Sequence, residues 1–169
     1  MERDQLITTA DSFLCQHRAL LSPAEDAEYL RLLREEREKP DTDEEGNETP
    51  VSLDLVKAYK VLRLLVYDAS TEVNGFSIGG QLMWLSPEER ANYLLTIEAA
   101  QEAGIESVPF AGVTLPVAIA LAALKAIDLY AYQCVVTRDT HKAAINALTS
   151  IEAVDEYDFK RGYPEKLNF

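Results

Sequence analysis

The sequence predicts an α+β fold, mostly helical, and three observations carry that reading. Long stretches place apolar residues every three or four positions, the spacing of a half-buried helix. Two short stretches, around Phe76–Trp84 and Val108–Leu115, alternate instead and fold about glycine-containing turns. A third kind of stretch, from Pro116 to about Thr137, is apolar on nearly every side. A helix of that composition is buried in its own fold or in an assembly.

The elements follow in order. Leu6, Ala10, Phe13, Leu14, His17 and Leu21 line one face of an opening helix. "SPAE" restarts it, with Ser22 as cap, Pro23 at the first helical position and Glu25 completing a capping box. Ala27, Leu30 and Leu33 then point inward, and Glu35–Lys39 is an outward ion pair. Residues 40–50, "PDTDEEGNETP", carry five acids and no base between two prolines, which predicts a loop. A helix from about Ser52 to Asp68 follows, with Leu55, Val56, Tyr59, Leu62 and Leu65 as its buried stripe. Its Lys57, Lys60 and Arg63 are expected to pair with neighbouring acids.

"NGFSIGGQLMWL" is a hairpin whose register depends on its loop. A three-residue loop, Gly79–Gly80–Gln81, sets Ile78 opposite Leu82 and Phe76 opposite Trp84, placing four apolar side chains on one face. That register is the expected one, and it buries Trp84, the only tryptophan. "SPEE" repeats the capping device at Ser86, Pro87 and Glu89, and Gly104 stops the helix. In the second hairpin Ala111–Gly112 is the turn, so that Phe110 faces Val113 and Val108 faces Leu115, with Pro109 on an edge strand. After the apolar helix come two short ones, about 139–149 and 150–158, the second opened by Thr149 and Glu152 of "TSIE".

Composition narrows the function. Sixteen basic residues against 29 acidic ones leave a net charge of −13. That disfavours nucleic acid and anionic membranes, both of which attract Lys and Arg, and favours a basic protein partner. The first residues, charged and helix-patterned, do not read as a secretory signal. The run "VPFAGVTLPVAIALAALKAI" is broken by Pro109, Gly112 and Pro116 and closed by Lys125, which argues against a membrane span. A soluble protein made in the cytoplasm is expected, with Cys15 and Cys134 as buried thiols. The sequon at Asn47 carries no weight without secretion.

Catalytic and metal motifs are weak. "GFSIG" matches the expression for a serine nucleophile, with Asp128 and His141 following in hydrolase order. That chemistry needs a sharp strand–turn–helix, whereas Ser77 lies in an alternating run followed by another strand. Cys15, His17, Cys134 and His141 lack zinc spacings. The acidic loop counted from Asp41 has Gly46 at the sixth position but Ser52 at the twelfth, where a calcium loop wants Glu. No phosphate-binding glycine loop is present. No catalytic residue, cofactor, metal or small-molecule substrate is expected. Trp84, Tyr163, Pro164 and Phe169 are the candidate interface or closure residues.

Three segments, "YDASTEVNGFSIGGQLMWLSPEERA", "DLYAYQCVVTRDTHKAAINALTSIEAVDEYDF" and "GYPEKLNF", together resemble a phage and prophage domain family of unknown function, often encoded near tail or tail-fibre genes. The resemblance covers about residues 67–169 and divides the chain into an N-terminal helical region, 1–66, with its acidic loop, and an α+β domain, 67–169. It implies a phage or prophage origin. With the absence of a catalytic motif, the all-apolar helix and the strong acidity, the expectation is a non-catalytic protein of a tail or tail fibre, or its assembly factor, made in a bacterial host and contacting other phage structural proteins or itself. An acidic counter-defence or regulatory protein that binds a basic host surface is the alternative. The resemblance also implies that "GYPEKLNF" is a regular element of the domain. Tyr163 and Pro164 are then expected to pack on the domain, with Phe169 capping it or an adjacent subunit.

Overall fold

A computed structural model describes Arg31, Glu35, residues 41–42, residues 45–49 and residues 51–169. The expectations for the opening helices, Cys15, His17 and the Glu35–Lys39 pair fall outside the described residues. Arg31 and Glu35 are helical and form an ion pair one turn apart. The chain is a mostly helical α+β protein. Its elements are β1 (Asp41–Thr42), β2 (Glu48–Thr49), α1 (Leu53–Ala69), α2 (Thr71–Asn74), β3 (Phe76–Ile78), β4 (Gln81–Met83), α3 (Pro87–Glu102), β5 (Ser107–Phe110), β6 (Val113–Pro116), α4 (Val117–Ala147) and α5 (Ile151–Glu156). The acidic loop is therefore a minimal hairpin, with Asp41 opposite Thr49 and Thr42 opposite Glu48.

Two compact units result. One takes the residues up to Ser70 together with Arg138–Arg161; the other takes Thr71–Thr137 with Gly162–Phe169. The division falls after Ser70, and residues 138–161 group with the earlier part of the chain.

In the second unit, both hairpins and α3 pack on one stripe of α4. Phe76, Ile78 and Leu85 from the first hairpin, Val108 and Phe110 from the second, and Ile97 from α3 meet Ala120, Leu124 and Ile127. The small alanines of α4 let the sheet residues approach closely. Helix α3 begins as its sequence dictates: the Ser86 hydroxyl accepts from Glu89 N, and Glu89 returns a carboxylate to Ser86 N at 2.7 Å. Gly104, in the left-handed region, follows its end.

The first hairpin corrects the expected register. Phe76 pairs with Met83, Ser77 with Leu82, and Ile78 with Gln81, which leaves a two-residue Gly79–Gly80 turn. Both glycines have positive φ, 56° and 79°, as the tight primed turn requires, and that turn matches the twist of the flanking strands. Turn geometry outweighed apolar matching: Leu82 is left exposed and Trp84 half-buried, and Leu85 beyond the strand supplies the buried side chain. The second hairpin has the expected register, Phe110 opposite Val113 and Val108 opposite Leu115. There Ala111 adopts a positive φ of 47°, and its N–H donates to the Tyr93 hydroxyl at 3.1 Å.

In the first unit, α1 starts where its cap predicts, with Ser52 accepting from Leu55 N. Its buried stripe is Val56, Leu64 and Asp68, while Leu65 is exposed. Of the expected stripe, Val56 is buried, Leu55, Tyr59 and Leu62 are half-buried, and only Leu65 is exposed. Leu64 packs with Ile145 of α4 and with Phe159, flanked by Val61, Tyr67 and Tyr157. Two lysines of the basic cluster of α1 reach backbone carbonyls. Lys57 Nζ donates to the Asn146 carbonyl at 2.8 Å and Lys60 Nζ to the Asp155 carbonyl at 2.9 Å. Those carbonyls close the last turns of α4 and α5, where a cation also opposes the helix dipole.

Helix α4 runs unbroken through 138–147, where a second helix had been expected. "TRDTH" turns polar but holds neither Gly nor Pro, so burial changes and the backbone does not. The cap of α5 is Ser150, which accepts from Ala153 N; Thr149 lies one residue too early. Glu152 then sits in the first turn, favourable to the dipole without closing a box.

Gly75 is fixed by sterics. A Cβ there would collide with the Thr71 carbonyl and lie 2.9 Å from Leu82 Cδ1. Leu82 is exposed and can yield, but the carbonyl accepts the Gly75 N–H at 3.0 Å and cannot. Gly75→Ala should therefore cost about 1–3 kcal/mol, the usual range for overpacking, read as a lower midpoint in urea unfolding.

Candidate interaction site

The last residues of the chain return to the sheet. Ser77 N donates to the Leu167 carbonyl at 2.9 Å, Phe169 N to the Ser77 carbonyl at 2.9 Å, and Gly79 N to the Phe169 carbonyl at 3.1 Å. Ser77 and Asn168 form a parallel bridge, so the segment is a short third strand on the free edge of β3. Leu167 reaches the core that holds Phe76, and the Phe169 ring meets Phe76 edge-on at 6.1 Å between centroids. Lys166 Nζ lies 3.4 Å from Glu72. Phe169 nevertheless remains 42% exposed, and Tyr163 and Pro164 are half-buried. Three hydrogen bonds at about 0.5–1.5 kcal/mol each, plus one partly buried leucine, hold the strand modestly.

Two bonds pin the chain where this strand begins. His141 Nε2 lies 2.8 Å from the Arg161 carbonyl, and Nδ1 lies 2.7 Å from the Tyr157 hydroxyl. A carbonyl only accepts, so Nε2 carries the proton in the neutral ring and the Tyr157 hydroxyl donates to Nδ1. Thr137 Oγ1 faces the Gly162 carbonyl at 3.4 Å. Burial raises the Tyr157 phenol above its ordinary pKa.

A second surface lies on α4. Opposite the buried stripe, Leu129, Tyr132 and Val136 follow at i, i+3 and i+7 and are 58%, 65% and 47% exposed. Ile119, 54% exposed, and Ala122 extend the face toward the helix start. Lys125 and Gln133 are the polar residues among them. The helix is long and apolar enough to cross a membrane by length and composition, with 33% of its most apolar stretch buried inside the protein. The interruptions expected to break that run, Pro109, Gly112 and Pro116, all precede the helix.

The residues drawn into catalytic and metal schemes are placed as follows. Ser77 lies inside β3, which leads through a turn into β4, so the strand–turn–helix of a nucleophile elbow is absent there. Asp128 is ion-paired with Arg90 at 2.8 Å, and Arg90 also donates to the Leu85 carbonyl. That ion pair lies off the axis of the Arg90 Nε–H. Cys134 is a buried thiol on α4. Among the described residues no group of three or more His, Cys, Asp and Glu converges as metal ligands would. Arg138 meets Asp139 at 2.9 Å and the buried Asp68 at 3.6 Å, a charge in the last turn of α1 that the dipole disfavours and the guanidinium offsets. The apolar helix had been expected to be buried in its own fold or in an assembly, without a distinction between its faces. The sequence signal of the exposed stripe is that two apolar stripes, not one, share the helix.

No family model, curated protein or solved structure matches the chain.

Leu167→Asp should destabilise by about 1–3 kcal/mol in chemical denaturation, because it puts a charge against the Phe76 core. A second expectation concerns alkaline pH. The folded chain holds the Tyr157 proton more tightly than the unfolded chain. Its contribution is therefore whole below the ordinary tyrosine pKa of about 10. It disappears as pH rises through the raised folded value. Between about pH 10 and that raised value, melts of wild type should fall more steeply with pH than melts of Tyr157→Phe.

Proposed function

We propose that this protein works through protein–protein contacts, as a component of a phage or prophage tail or tail fibre, or as an assembly factor for one. The observation that carries the reading is the exposed stripe Ile119–Leu129–Tyr132–Val136, with Ala122, on a helix whose opposite side is already packed. Burying side chains of that size is worth about 1.5–3 kcal/mol each, enough for a few of them to make a specific contact.

A protein suits this stripe better than lipid. Lys125 and Asp128 lie in the apolar part of the helix, and each would cost roughly 2.5–3.5 kcal/mol at a bilayer centre. A protein contact can leave both at its solvated rim. The net charge of −13 supports a partner with basic residues around an apolar centre, and equally supports the second reading, an acidic counter-defence protein on a basic host surface. The phage setting rests on the quoted segments of residues 67–169 alone.

Quantitative mass spectrometry on purified particles of the parent phage separates these readings. A fixed copy number, at a multiple set by particle symmetry, is expected for a structural component. Absence from particles, with abundance in the infected-cell lysate, overturns the structural reading in favour of assembly or counter-defence. The surface has its own test. Tyr132→Glu with Val136→Glu should shift the melting temperature by no more than about 2–4 °C, as two exposed positions allow, and should remove the protein from particles. Retention at wild-type copy number would mean that the stripe is not the contact.

A further inference from the structure

We propose that the slot on the free edge of β3 is exchanged between copies of this chain, the strand Leu167–Phe169 of one copy pairing with Ser77 of another. The slot has a definite chemistry. It offers Ser77 N, Ser77 O and Gly79 N as a parallel ladder, and it borders the buried Phe76. An empty slot would expose that ring and leave three backbone groups without protein partners, so it needs an extended occupant with apolar side chains at alternate positions. Leu167 and Phe169 supply that spacing within this chain.

The occupant is lightly held and carried on a short irregular lead. Phe169 is 42% exposed despite its edge-on contact with Phe76, and Leu167 packs against the core only partly buried. Residues 157–166 form neither helix nor strand, but Phe159 is packed with Leu64 and the Arg161 carbonyl is held by His141, so the lead beyond these anchors is 162–166. Extended, it spans up to about 18 Å. Gly162, at φ 81°, is a pivot where a change of direction meets no side-chain barrier. A closed slot, an occupant of few contacts and an irregular lead with a pivot are the ingredients of strand exchange, which swaps identical contacts and so costs little. The second copy is favoured over a foreign peptide because its strand reproduces every bond already seen, including Lys166 to Glu72. This inference does not depend on the α4 stripe.

The experiment uses full-length chains. One copy carries Ser77→Cys and a second, with a longer tag, carries Asn168→Cys, both with Cys15→Ser. The bridge pair occupies neighbouring strands, spaced about 4.8 Å, within disulfide range. After co-expression and mild oxidation, exchange predicts a covalent heterodimer on a non-reducing gel. Adding Leu167→Asp to the Asn168→Cys copy should abolish it, with circular dichroism showing both copies folded. No heterodimer overturns the proposal, and so does a heterodimer that survives Leu167→Asp, since that would be a chance collision. Sedimentation of the wild-type chain gives a reading free of cysteine variants: a dimer that dissociates on dilution is expected, and a monomer at every concentration overturns the idea.

Discussion

Helix α4 has to satisfy two cores with one backbone. Its 31 residues place Ala120, Leu124 and Ile127 among the hairpins and α3, and place Ile145 against Leu64 and Phe159. A helix presents a given face only every three or four residues, so each core is built on its own stripe of α4. This explains the crowding of small residues at its start, where the strands come closest. It also explains why Lys57 is spent on closing the far end at Asn146 and not on a surface ion pair. A fray there would loosen the turn that carries Ile145.

Local chemistry in this sequence was legible wherever one rule acted alone. The Ser86–Glu89 box, the Ala111–Gly112 turn and the start of α1 could be read directly, because each is fixed by residues within four positions of one another. The misreadings share a different cause, two local rules in conflict. At Gly79–Gly80 an apolar-matching argument opposed a turn-geometry argument, and the turn decided because its backbone cannot be compromised while Leu82 can sit in water. At residues 137–139 a change in composition was mistaken for a change in backbone. Only Gly or Pro would have broken the helix there, and neither is present.

The candidate site was legible in the same partial way. That the ending "GYPEKLNF" packs on the fold was an expectation drawn from a resemblance, and it did not name the receiving strand. Pairing between Ser77 and Asn168 joins positions far apart in sequence, and periodicity carries no information over such a distance. The exposed stripe of α4 was hidden for a simpler reason. An all-apolar helix looks buried on every side when read as a sequence, and only the packing partners tell which side has been used.

The two surfaces differ in what they ask of a partner. The α4 stripe offers side chains and no backbone groups, so it can accept any apolar face of fitting shape and gains specificity from the charges at its rim. The β3 slot offers backbone groups in a fixed ladder, so it accepts only an extended chain and takes its specificity from the alternate positions that Leu167 and Phe169 fill. A strongly acidic chain repels its own copies over any broad contact. A strand slot avoids much of that cost, because the joining surface is narrow and its one charged contact, Lys166 with Glu72, is attractive. Self-association through the slot and association with a basic partner through the helix are therefore physically compatible in a single molecule.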